Sequence, residues 1–199
     1  MVSAAKRFGE RMTIILDPNQ GWRLKQAMAF IEGIRGFYPD MIEQPIGRRD
    51  LEGLQKIRNC IPCLLSADES LISVQDAVAL IGHGAADVFS IKVSKNGGLT
   101  KSLWIAKVAE AFGIKCLMNS MLEFGVTQAA SVQLGCTLNN LVDCGHAYMS
   151  VLRMSDDVTD FDRFISKAVV AVPQGPGLGV MLDEKKLQSY TREYAQIVG

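Results

Sequence analysis

Val88-Phe89-Ser90-Ile91-Lys92 is a short run fit for a buried strand, closed by a charge. Val93-Ser94-Lys95-Asn96-Gly97-Gly98 then turns the chain into a stretch from Leu103 to Phe112 with helical apolar spacing. The same grammar recurs on both sides. Cys63 to Ala67 reads as a strand stopped at Asp68-Glu69-Ser70, with a helix over Val74 to Ile81. Met41-Ile42-Glu43 is closed by Gln44-Pro45, and Leu51 to Ile57 is helical. Met12 to Leu16 ends at Asp17-Pro18-Asn19-Gln20-Gly21, and a helix follows from about Leu24 to Ile34. Downstream, Lys115 to Met118 is a strand, Gln128 to Leu134 begins a helix, and Leu141-Val142-Asp143 is a further strand. These are six strand-plus-helix units without a long linker. The residues that end successive strands, Asp17, Glu43, Asp68 and Lys92, lie 26, 25 and 24 apart. A βα unit of this length, with short apolar strands, predicts parallel strands covered on both faces.

Two architectures satisfy that pattern, a (β/α)8 barrel and an open doubly wound sheet. A dinucleotide-binding sheet would carry G-x-G-x-x-G after its first strand, whereas this turn reads Asp-Pro-Asn-Gln-Gly. Charges at strand C-termini favour the barrel, which builds its site on that rim. The predicted class is therefore α/β, a (β/α)8-type TIM barrel with about six βα units. The tail differs: Lys167 to Val172 and Val180 to Leu182 read as two strands around Pro173–Gly179. The expected organisation is a partial barrel over 1–165, then 166–199 as a return to a cap domain with a terminal helix.

Composition narrows the class of function. Of 199 residues 48% are hydrophobic, and 21 Lys and Arg balance 21 Asp and Glu. That is too apolar for a disordered chain, and it lacks the basic excess of a protein living on phosphate contacts. No apolar run approaches the ~18 residues of a spanning helix, and the first residues are too polar for a signal peptide. A cytoplasmic protein with neither nucleic-acid nor membrane partner is expected. Five cysteines, with Cys63, Cys116 and Cys144 in apolar runs, read as reduced core residues. Cys60-Ile61-Pro62-Cys63 lacks the second ligand pair a zinc site needs.

Asp17, Glu43 and Asp68 end three successive strands. On one rim they would form an all-oxygen site suited to Mg2+ or Mn2+. Such an ion, bound to a substrate carboxylate, stabilises the charge that develops when the α-proton leaves. Lys92, one strand further, is placed to move that proton if nearby positive charge lowers its pKa; Lys95 either supplies that charge or simply sits in the loop.

Leu16–Trp22, Ile42–Pro45, Ala67–Ser70 and Ile91–Gly98 together resemble the barrel of the enolase superfamily, nearest its mandelate racemase and muconate-lactonizing groups. The resemblance runs over roughly residues 5 to 183. It implies Asp17, Glu43 and Asp68 as Mg2+ ligands and Lys92 as the general acid/base on the sixth strand of the barrel. It places Ser120-Met121-Leu122-Glu123 facing a small carboxylate substrate, with Asn19, Lys95, Asp143 and His146 as further candidate contacts. The implied reactions are dehydration, cycloisomerisation, or racemisation and epimerisation; a homo-oligomer is expected because six parallel strands leave two edges open to pairing with another chain. Met118–Phe124 and Gly145–Ser150 resemble members acting on proline-type amino acids such as hydroxyproline. Asp143 matches the first of two aspartates that hold a substrate ammonium there, and Gly145 replaces the second.

The family carries a Lys-x-Lys pair on its second barrel strand, before the point matching Met1, and Val2 to Arg11 would be the helix after that strand. The alternative expectation is thus a catalytically impaired fragment, acting if at all as a structural or interaction piece. With Lys92 on one substrate face only, elimination or cycloisomerisation suits the residues better than racemisation. His83 is expected beside a helix C-cap, Asp156 to Asp162 as a solvated helix start, and Trp22 and Trp104 as packing residues.

Overall fold

The computed structural model describes residues 12–192; the helix expected over Val2 to Arg11 lies outside them. Five strands, β1 (Ile15–Leu16), β2 (Met41–Glu43), β3 (Leu64–Ala67), β4 (Val88–Ile91) and β5 (Lys115–Met118), form one parallel sheet in chain order. Helices α1 (Leu24–Gly33), α2 (Leu51–Cys60), α3 (Val74–His83) and α4 (Leu99–Ala111) join each strand to the next. A doubly wound sheet reverses its strand order at a switch point. Here every neighbour in space is a neighbour in sequence, as in a barrel wall.

Two expected strands are shorter in the structure. Leu141–Asp143 contributes a single parallel bridge, Leu141 to Cys116, instead of a strand. Met12–Leu16 shrinks to Ile15–Leu16, because the Ile14 N–H goes to the Asp40 side chain at 2.7 Å.

Register and curvature position the strand ends. Glu43 stands opposite Ser66, two residues before Asp68, and Ser66 stands opposite Val88, four before Lys92. This climbing stagger is the strand tilt of a barrel. Asn119, just past β5, donates to Glu43 at the end of β2 across 2.8 Å. In a flat sheet those strands would lie ~14 Å apart, three strand spacings, so the sheet is strongly curled. Side chains two apart share a face. Met41, Val88 and Leu117 pack with Val142 into a buried cluster. Next toward the strand C-termini on that face come Glu43, Ser90 and Asn119. The apolar cluster is the floor of the site.

The helices cover the sheet through small and branched residues at helical spacing: Ala27 and Ile31, Leu54 and Ile57, Ala77 and Leu80, Ile105 and Ala109. Asp50 caps α2 through the Gly53 N–H, and Ser73 with Asp76 forms a capping box on α3. His83 ends α3 beside Gly84, whose φ of 59° supplies the left-handed cap. Trp22 packs on Phe30 with ring centroids 4.6 Å apart. Trp104 is not a packing residue: it is 56% exposed. No helix among the described residues is long and apolar enough to cross a membrane.

The chain divides into two compact units, one running to Asn119 and including Leu138–His146, the other made of Ser120–Thr137 and the chain from Ala147 on. In the second unit, α5 (Gly125–Gly135) contributes Ala129 and Val132 to a core with Val151 and Phe161. The hairpin there is not the expected pair around Pro173–Gly179. It joins β6 (Ile165–Ser166) to β7 (Val169–Val170) through Lys167 and Ala168, both at positive φ, the handedness that suits a two-residue turn. Leu182 instead bridges Thr159. The unit closes with α6 (Glu184–Tyr190), capped by Asp183.

The acidic run Asp156–Asp162 is not simply solvated. Asp157 is buried, accepts the Gly125 N–H on both oxygens at 3.0 and 3.2 Å, and takes the Thr159 hydroxyl at 2.6 Å. It caps α5 from thirty-two residues away. A Cβ on Gly125 would come within 2.0 Å of Thr159 Oγ1 and 2.5 Å of Phe161 Cβ. Gly125→Ala is therefore expected to cost about 2 kcal/mol by overpacking, while Gly33→Ala, with open space around it, is neutral or stabilising. Paired urea melts read the difference, and equal midpoints would refute the capping arrangement.

Candidate active site

The strand-ending charges of the first unit meet, and each carboxylate has its own holder. At β1, Asn19 turns back at φ 47° and gives Asp17 two hydrogen bonds, from its backbone N–H at 2.9 Å and its side-chain amide at 2.8 Å. At β2, Glu43 Oε1 accepts from Asn119. At β3, Asp68 receives an ammonium on each oxygen, Lys92 on Oδ2 and Lys95 on Oδ1, both at 2.6 Å. Lys95 also donates to the Asp68 and Ser90 carbonyls at 2.7 and 2.9 Å. Its three protons are thus committed, and as placed it has none left for a substrate. In this arrangement Lys95 braces Asp68.

The Asp68 loop is tied down by Gln44, a residue the sequence reading treated only as a strand terminator. Gln44 Oε1 accepts the Asp68 and Ser70 N–H groups at 3.0 and 3.1 Å. Its amide nitrogen donates to Ser70 Oγ and the Ile46 carbonyl. Gln44 is fully buried, so all these bonds are screened from water. Asn119 was also passed over, being neutral and outside every charge pattern.

The carboxylates repel one another. Burial, then the charge of Asp68, pushes the Glu43 carboxyl up to about 7, with Asp17 adding to the effect. Asp17 is raised as well, by burial and by Asp68. Lys92 is not lowered. Burial alone would depress it, but the hydrogen bond and charge of Asp68, with Glu43, raise it above the ordinary lysine value. Lys95, more deeply buried, is the one that falls.

His146 accepts the Met118 N–H on Nδ1 at 3.2 Å, and burial lowers its pKa, which favours a neutral ring. Asp143 is exposed. In the second unit, Ser120 donates to Glu123 Oε2 at 2.5 Å, Gln128 donates to the same oxygen at 3.1 Å, and Ser120 also bonds Ser150. All five cysteines are free, with Cys116 buried but Cys60 and Cys136 exposed.

An all-oxygen set of three mutually repelling carboxylates is the donor chemistry of a hard divalent cation. In kind and charge Asp17, Glu43 and Asp68 fit such an ion. As the side chains stand, however, no group of three His, Cys, Asp or Glu among the described residues is gathered closely enough to hold a metal. Both oxygens of Asp68 carry ammonium groups in this arrangement.

The Glu43 shift has a stability consequence. With a carboxyl pKa near 7 in the fold and 4.5 as reference, the folded state keeps a proton that the unfolded state releases. Stability therefore falls as pH rises through that window. The loss is on the order of 3 kcal/mol, measured without divalent cations. Glu43→Gln is expected to melt above the wild type at about pH 8 and to lose less on going up from about pH 5. A wild-type melting temperature that is flat across this range would refute the buried, repelled carboxyl.

Comparison with known proteins agrees with this geometry. A family described as "Enolase C-terminal domain-like" matches residues 1–186. Muconate cycloisomerase 1 of Pseudomonas putida is 32% identical over 192 residues, covering 96% of this chain and 51% of the relative. L-Ala-D/L-Glu epimerase of Bacillus subtilis is 30% identical over 178 residues, 88% of this chain and 48% of the relative. The crystal structure of muconate cycloisomerase from Pseudomonas fluorescens superposes with a TM-score of 0.89 at 34% identity, over 96% of this chain and 53% of that one. The chain spans about half the length of the curated relatives it matches. A parallel sheet wound in chain order, with carboxylates and a lysine on successive strand ends, belongs to the same picture: the chain is a member of the enolase C-terminal domain-like family, in its mandelate racemase and muconate-lactonizing group.

Proposed function

We propose that the Asp17–Glu43–Asp68–Lys92 group serves proton transfer at the α-carbon of a carboxylate substrate, assisted by Mg2+, in a reaction of the cycloisomerase type. The observation that carries the reading is the Lys92–Asp68 pair, 2.6 Å apart and almost buried, in the field of Glu43 and Asp17. The three carboxylates would hold the cation, which when bound would neutralise the substrate carboxylate and the charge that builds up as the α-proton leaves.

The residues of the chain divide the remaining work. Lys92 has one hydrogen bond to Asp68 and further N–H groups to offer, so as placed it is a proton donor. It becomes a base once the pull of Asp68 on its proton is shared with another cation. Lys95 keeps a positive charge against Asp68 throughout. Cycloisomerase relatives about one-third identical over nearly the whole chain support this reaction class. Muconate-type dicarboxylates follow from those relatives. A proline-type amino acid such as hydroxyproline follows from the resemblance at Met118–Phe124 and Gly145–Ser150. The two classes are to be assayed side by side.

Thermal unfolding of the chain at millimolar Mg2+ tests the site. At a hundredfold excess over Kd the expected stabilisation is about 2.7 kcal/mol, absent in Glu43→Gln and Asp68→Asn. Deuterium exchange at the substrate α-carbon tests the lysine: Lys92→Met is expected to slow it roughly a hundredfold or more. No melting shift with Mg2+ would overturn the metal site, and unchanged exchange in Lys92→Met would overturn the role of Lys92.

A further inference from the structure

We propose that Asn119 is a positioning residue for the Glu43 carboxylate, a neutral cross-sheet tie that presets this ligand for a divalent cation. The inference rests on the metal-assisted reading above and names a residue that reading does not use.

Asn119 is anchored before its side chain does anything: its backbone N–H donates to the Ile91 carbonyl of β4 at 2.8 Å. Its side-chain nitrogen then makes two hydrogen bonds, to Glu43 Oε1 at 2.8 Å and to Ser90 Oγ at 2.9 Å. Both amide protons are thereby used. Ser90 is fully buried in β4 and Glu43 almost so at the end of β2. One planar amide therefore ties Glu43 to two other strands.

The chemical type of the holder matters. Asp68 is held by ammonium groups, which compete with a metal ion for the same charge. An amide N–H orients a carboxylate oxygen and brings no net charge of its own to compete with an incoming cation. Ordering this side chain in advance removes part of the entropy cost of ligation. Outer partners of metal ligands typically govern affinity by ten- to hundredfold.

Mn2+ is the probe, read by electron paramagnetic resonance on the 199-residue chain. Asn119→Leu keeps the branched shape and removes both donors; Asn119→Ser is the second variant, small enough to fold if leucine overpacks. The expected result is Mn2+ affinity weakened about tenfold or more with far-ultraviolet circular dichroism unchanged. A merely structural asparagine would lower the melting temperature and leave the affinity of the folded protein alone. The companion readout needs no metal: infrared difference spectra with 13C-labelled glutamate, the Glu43 band being identified by its loss in Glu43→Gln. That band is expected to move in both Asn119 variants. Wild-type Mn2+ affinity in a folded Asn119 variant, or an unmoved Glu43 band, overturns the inference. Failure of the wild-type chain to bind Mn2+ overturns the metal-assisted reading and, with it, the preset for a cation, while the infrared arm still reports whether the tie exists.

Discussion

Asp68 carries an ammonium group on each carboxylate oxygen, and the rest of the site is arranged around that charge. Three carboxylates pressed together in a nearly dry place would drive one another to protonate. Lys92 and Lys95 offset part of that repulsion, and Gln44 fixes the loop on which Asp68 rides. The remaining strain shows in Glu43, whose carboxyl sits near neutrality. In the reading proposed above, a bound divalent cation would relieve the repulsion that remains.

The sheet makes this arrangement affordable in conformational terms. Each functional side chain sits at the C-terminal end of a short strand: Glu43 and Asn119 stand two residues above Met41 and Leu117 on the same face, and Asp68 and Lys92 two above the buried Ser66 and Ser90. Met41, Val88, Leu117 and Val142 form the floor. Loops supply only the second set of contacts, Asn19 to Asp17 and Lys95 to Asp68. Precision thus comes from strands, which are rigid, and adjustment from loops, a division suited to a catalytic rim.

The lysines show how chemically identical residues acquire different tasks. Lys92 extends from the sheet face and makes one bond to Asp68; Lys95 folds back from the following loop and makes three bonds. The first retains protons to exchange, whereas the second has become part of the frame. Sequence spacing set Lys95 close to Lys92 and left open whether it lowers the Lys92 pKa or simply sits in the loop. The distances decide it: the attraction of Asp68 and Glu43 for Lys92 outweighs burial.

Much of the protein was written in local pattern. Apolar runs ending in Asp17, Glu43, Asp68 and Lys92 at a regular interval determined the parallel strands, their order and the rim on which those four residues stand, because strand and helix periodicities are properties of neighbouring residues. Helix starts at Ser73 and Asp50 were likewise local chemistry. Tertiary structure alone decided the cross-sheet and long-range contacts: Asn119 on Glu43, Gln44 on the Asp68 loop, Asp157 on the start of α5. It also decided that Leu141 makes a bridge and that the hairpin turns at Lys167-Ala168. Those contacts depend on curvature and register, which emerge only when distant segments pack. A neutral amide or a buried glutamine has no signature in spacing, since its role is defined by the partner that folding brings to it.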